Sequence, residues 1–141
     1  MNDDMLTELH EAHATLLAGI QELEDATRAP APDPSALAAI RWRLSRASSR
    51  RRRLVEQACT RLAADAPRSA PQLDVLRDSN TDMLSATSRH VGAWTIERVV
   101  ADWPGYRAAS IEMRKAMRAR IATEKSILYP LLEKAEDRAT S

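Results

Sequence analysis

Phenylalanine is absent from this 141-residue chain, glycine occurs three times and cysteine once. So little glycine and so few aromatic residues leave poor material for tight turns and strands. Ala, Leu, Arg and Glu dominate instead, and the composition predicts helix nearly throughout. A single Cys59 excludes an internal disulfide and a cysteine metal cluster, which fits a reducing cytoplasm. No run approaches the roughly 18 apolar residues of a membrane span. The opening Met1-Asn-Asp-Asp4 is acidic and lacks the apolar core of a signal peptide. An excess of charge of one sign is also missing: the formal net charge of +1 points to no particular partner.

What is present is a globular balance, 44% hydrophobic and 29% charged, at a length suited to one domain spanning 1–141. Apolar residues recur with helical spacing over about 3–27, 33–65, 70–91 and 102–136. Leu6, Leu9, Leu16, Ile20 and Leu23 form the first stripe, with Asp3 or Asp4 able to cap the helix. Pro30, Pro32 and Pro34 break the chain, and Asp33-Pro34 reads as N-cap and first helical residue. Leu37, Ile40, Leu44, Val55, Ala58 and Leu62 form the second stripe. Leu73, Leu76, Met83, Leu84 and Thr87 form the third. From Gly92 to Trp94 onward the pattern fits either a loop or a short separate helix. Asp102 and Pro104 mark a fresh start, after which Met113, Met117, Ile121, Leu128 and Leu131 share a face. The expected fold is all-α, an antiparallel up-down four-helix bundle.

Some polar residues fall on these apolar stripes. At about 100° per residue, His13, Asn80 and Glu124 lie near the centres of their buried faces. On the second helix Arg51 falls on the stripe, Arg52 beside it and Glu56 at its rim. All lie towards mid-helix, so an antiparallel bundle would bring them to one level. A carboxylate such as Glu124 in an apolar face needs a partner, a metal or a proton. Two readings stay open: a shared buried polar centre, or unrelated accidents with snorkelling arginines.

Glu124-Lys-Ser-Ile-Leu-Tyr-Pro-Leu-Leu132 resembles the end of the last helix in hemerythrin-like (HHE cation-binding) proteins. Those carry a His, a Glu four residues later, and a Leu-aromatic-Pro-Leu tail. Leu9-His-Glu-Ala-His-Ala-Thr-Leu-Leu17 is similar to the family's first-helix segment and places His13 at a ligand position. The resemblance implies a four-helix bundle holding two irons through histidines from all four helices and bridging carboxylates. This chain departs from that plan. Arg120 stands where the His before Glu124 is expected, Arg52-x-x-x-Glu56 repeats the substitution on the second helix, and Asn80 occupies the third-helix position. A guanidinium has no lone pair to give a metal, whereas opposite a carboxylate it balances charge without one. The expectation is a vestigial polar centre of His13, Arg52, Glu56, Asn80, Arg120 and Glu124, with no catalytic, cofactor-binding or metal-ligating role. A single weak metal site around His10, His13 and Glu124 stays open, as does which second-helix arginine faces the core.

Arg41, Arg43, Arg46 and Arg50 to Arg53 make a basic block spread around most of the second helix. A solvated face balanced by Glu8, Glu11, Glu22 and Glu24 competes with an acidic partner or a nucleic-acid backbone. No aromatic platform interleaves with these arginines, which weighs against single-strand binding. Trp94, Trp103 and Tyr106 read as a hydrophobic cap on one end of the bundle, or as the wall of a ligand pocket. No nucleophile–base pattern and no Gly-rich phosphate loop occurs. The sequence thus points to a bacterial-type, cytoplasmic, non-enzymatic binding or regulatory module. It is expected to have lost the di-iron centre, to use no cofactor, and to meet an unidentified protein or small-molecule partner, not a membrane or nucleic acid. Homodimerisation stays open. The competing class is an iron-binding sensor or oxidoreductase with a reduced site.

Overall fold

Capping residues place the helix boundaries. The computed structural model describes residues 5–140 and contains five α-helices among them: α1 (Met5–Thr27), α2 (Pro34–Asp65), α3 (Ala70–Ala93), α4 (Ile96–Ala101) and α5 (Trp103–Thr140). A turn of 3₁₀ helix, Pro67–Ser69, joins α2 to α3. The expected cap at Asp3 or Asp4 lies outside the described residues. Asp33 has extended backbone and its carboxylate accepts from the Ala36 N–H at 3.1 Å, with Pro34 following in the first turn. The ambiguous stretch after Gly92 forms the short helix α4, capped by Thr95 Oγ1 accepting from Arg98 N–H at 3.2 Å. Asp102 opens α5, its Oδ1 accepting from the Gly105 N–H at 3.0 Å. A Cβ at 105 would meet that carboxylate at 2.2 Å, so the cap requires glycine there.

The last helix continues to Thr140, past the expected end near 136. Its tail, Glu133-Lys-Ala-Glu-Asp-Arg138, consists mostly of strong helix formers with no breaker. Pro130 sits inside α5 on the exposed face and removes one intrahelical donor without ending the helix.

Helices α1 and α3 each pack against both α2 and α5, and α4 bridges α2 and α5 at one end. Gly19 allows α1 close to α2, since a Cβ there would lie 2.9 Å from Leu44 Cδ2. The apolar interior falls into two blocks. One contains Leu9, Leu54, Leu62, Leu73, Leu76 and Leu128; the other contains Leu16, Ile20, Leu37, Tyr106, Trp103 and Ile121. Along α1, α2 and α5 a polar residue separates them: His13 between Leu9 and Leu16, Arg51 between Leu44 and Leu54, Glu124 between Ile121 and Leu128.

Helix α3 departs from its pattern. Its fully buried side chains, Leu73, Leu76 and Asn80, all lie in its N-terminal half. Leu84, expected inside, is 43% exposed and Val91 is 48% exposed. The second half of α3 stands off the core and leaves a cleft between α2, α3 and α5. Among the described residues no helix is long and apolar enough to cross a membrane.

Candidate functional site

The polar layer between the two apolar blocks centres on Glu124, which is fully buried. Its Oε1 accepts from His13 Nε2 at 2.8 Å. Its Oε2 accepts from Arg51 Nη1 at 2.5 Å and from Arg120 Nε at 3.0 Å. Arg51 Nη2 donates to Asn80 Oδ1 at 2.5 Å, and Asn80 Nδ2 donates to the Arg52 carbonyl at 3.2 Å. Arg120 also donates to Ser79 Oγ and, at 2.7 Å, to the Leu76 carbonyl. Tyr129 Oη lies 2.6 Å from His13 Nδ1. The tautomer that satisfies both contacts carries its proton on Nε2 and accepts the Tyr129 hydroxyl at Nδ1. Burial, with Glu124 adding, raises the Tyr129 pKa and keeps that hydroxyl protonated.

One carboxylate therefore faces two guanidiniums in a nearly dry setting. Burial pulls the Arg51 pKa down, Glu124 opposes the fall and Arg120 reinforces it. A guanidinium still remains protonated. The layer is held by charge-assisted hydrogen bonds, stronger than neutral ones because a charged partner is involved.

His13, Asn80, Arg120 and Glu124 meet in one cluster, and two expected members do not. The second-helix contributor is Arg51, not Arg52. Position 51 is in phase with Leu44, Val55, Ala58 and Leu62, whereas the Arg52 side chain is rotated a further turn-fraction out and is only half-buried. Arg52 takes part solely through its carbonyl. Glu56 faces solvent and lies 3.5 Å from Arg77 Nε, away from the centre. His10 is exposed and its ring packs on Tyr129, with centroids 4.2 Å apart, outside the layer.

The di-iron centre that the resemblance implies does not fit these residues. Every oxygen of Glu124 already accepts from a donor, and two of those donors are cations that would repel a metal. Among the described residues no group of three or more His, Cys, Asp or Glu side chains is placed to hold a metal ion.

A second network was not anticipated. Glu24 accepts from Arg28 at 2.8 Å, Arg118 at 2.7 Å and Arg114 at 3.1 Å. The hydrogen bond from Arg118 is the main influence holding its carboxyl below the ordinary value. Arg114 is buried and also donates to Thr27 Oγ1 and Ser110 Oγ. The signal was available: Arg114 shares the α5 stripe with Met117 and Ile121.

The basic block on α2 has divided tasks. Arg51 enters the centre, Arg43 pairs with Glu22 at 2.7 Å in solvent, and Arg46 covers the exposed Trp42 ring. Arg41 turns to the cleft, donating to the Val91 carbonyl at 3.3 Å and lying 5.9 Å from the Tyr106 ring centroid. Trp94, Trp103 and Tyr106 are buried together, with Trp103 Nε1 donating to the Ala29 carbonyl at 2.9 Å.

The cleft beside the layer has a wide part of about 400 Å³ and a narrow part of about 70 Å³. Ser45, Ser48, Thr87, Val91 and Met117 border both. His90 borders the narrow part, and burial, reinforced by Arg41, lowers its pKa from the ordinary 6.5. The folded chain thus binds this proton less readily than the unfolded chain. His90's contribution to stability is complete above 6.5 and is lost as pH falls below that value towards the folded pKa. Thermal melts should show a decline in stability just below that pH that flattens in His90→Gln. Parallel profiles for the two proteins in that window would exclude His90 as the cause. Glu24, whose pKa is lowered, acts in a separate window, below 4.5.

Compared with family models, curated proteins and solved structures, this chain gives no match in any of the three.

Proposed function

We propose that this chain is a hemerythrin-like, antiparallel up-down four-helix bundle whose di-iron layer has given way to an Arg–Glu–His network, and that it works as a non-enzymatic binding or regulatory module. Contacts running from α1 to α2 to α3 to α5 and back to α1 support the bundle. The observation that carries the functional reading is the double clamp of Arg51 and Arg120 on Glu124. A carboxylate so held has both oxygens engaged, and the two cations flanking it would repel iron. The neighbouring cleft supplies what a binding module needs, a concave space with apolar walls and a few polar groups.

Metal content tests the reading. Protein purified from iron-supplemented culture should be colourless and carry well under one iron per chain by elemental analysis. About two irons per chain, retained through gel filtration, would favour the sensor or oxidoreductase class and sink this proposal.

A further inference from the structure

No Asp or Glu side chain borders either part of the α2–α3–α5 cleft, yet arginines border both ends. Arg51, Arg52 and Arg120 lie at the wide end, Arg41 and Arg114 at the narrow end. Most of these have partners: Arg51 and Arg120 hold Glu124, and Arg114 holds Glu24. Arg41 differs. Its Nη1 is shielded from solvent and has no hydrogen-bond partner among the described residues. Buried donors are almost always satisfied, and one left unmade costs its full desolvation, so this nitrogen signals a missing acceptor. The acceptor is not a side chain of the cleft wall.

The rest of the wall sets the hydroxyls of Ser45, Ser48, Ser49, Thr87 and Ser88 beside an apolar surface. Met83, Leu84, Val91, Met117 and Ile121 line the wide part, and Leu84 and Val91 stay about half exposed there. The volume of about 400 Å³ is within the range of small-molecule sites, about 300–1,000 Å³. The methionines can adapt their shape to an irregular guest. The narrow part of about 70 Å³ is roughly two water volumes, room for a carboxylate group and little more.

We propose that this cleft binds a small amphipathic carboxylate, its apolar body against Met83, Leu84 and Met117 and its carboxylate accepting a hydrogen bond from the Arg41 guanidinium at the narrow end. A cation is excluded by the arginines. A neutral guest would leave the Arg41 charge uncompensated. The assignment rests on the binding-module reading but not on the fate of the metal layer.

Isothermal titration of the full-length protein with octanoate, 1-octanol and octyl phosphate tests it. Octanoate should bind one to one. Its neutral isostere 1-octanol should bind about tenfold more weakly or worse, the value of one charge-assisted hydrogen bond. Arg41→Met should weaken octanoate by a similar factor while the protein stays folded, its melting temperature falling only by what the Val91 hydrogen bond and the Tyr106 contact contribute. Arg43→Met, on the same helix but in solvent, should bind as the parent does. Absence of saturable heat with octanoate, equal affinity for 1-octanol, or an Arg41→Met protein that binds normally would each overturn the proposal. Octyl phosphate binding more tightly than octanoate would overturn the carboxylate assignment. Iron analysis of the same preparation keeps the two readings apart. Iron-free protein that ignores octanoate removes this ligand alone, and iron-bearing protein that binds octanoate removes the lost-metal reading alone.

Discussion

Glu124→Ala is expected to destabilise the protein by about 3–5 kcal/mol, the typical cost of breaking a buried pair by removing one partner. The loss does not come from the attraction itself, which desolvation largely offsets. It comes from Arg51 and Arg120, 4% and 7% exposed, left charged in the interior without a carboxylate. Against a total stability of about 5–15 kcal/mol, that is a large share. Replacing Glu124 with Leu and both arginines with Met should recover much of it, since apolar groups of similar volume often match a buried ion pair. His13 keeps Tyr129 in that variant, and Asn80 keeps the Arg52 carbonyl. Urea melts of the single and triple variants, with and without iron or zinc, provide the comparison. A Glu124→Ala protein as stable as the parent would remove the layer from the account of this fold. Stability that rises with added metal in the parent, and no rescue in the triple variant, would return Glu124 to metal binding.

The second large effect is expected beside α4, where Tyr106 is buried. Tyr106 is 1% exposed; it stacks on Trp103 at a centroid distance of 6.0 Å and meets Trp94 edge-on at 5.7 Å. Through Trp103 it also braces the linker after α1, at the Ala29 carbonyl. Tyr106→Ala opens a cavity where α2, α4 and α5 converge and should cost about 3–5 kcal/mol, the range for buried aromatic deletions. Tyr106→Phe keeps the ring and loses only the hydroxyl beside Ser110, so it should cost under about 1.5 kcal/mol. Denaturant melts of the pair separate packing from polarity. Equal losses in the two variants would show that the hydroxyl, not the ring, holds this end together.

The helical nature of the chain could be read from its stripes and caps because those signals are local: Asp33-Pro34 and Asp102 act within one turn. Glu124, His13 and Asn80 were legible for a related reason, since a polar residue on an apolar stripe has nowhere to go but inward. Arg51 against Arg52 was not decidable in the same way. One residue is 100° of rotation, and a long arginine can reach from either position. The resemblance favoured Arg52, while the phase of α2 favours Arg51. Arg114 was missed because an arginine among Arg118, Lys115 and Glu112 looks like surface, although its phase put it with Met117. The standing-off of α3 had no sequence signal at all. Leu84 and Val91 continue the stripe of Leu73 and Leu76, and whether a stripe meets a core or a cleft is decided by the helices it faces.

A helix pair joined by leucines alone can slide by one turn and still bury apolar surface, because one leucine replaces another. This chain has lost that freedom. Shifting α5 by one turn, about 5.4 Å, would carry Glu124 into the block of Leu54 and Leu76 or towards Ile20. It would also bring Ile121 or Leu128 to the guanidinium of Arg51. Both exchanges are penalised at once, and neither is relieved unless α1 and α2 slide in step. The single carboxylate between the two apolar blocks therefore acts as an index mark that three helices must agree on, excluding neighbouring alignments that hydrophobic packing alone would barely distinguish.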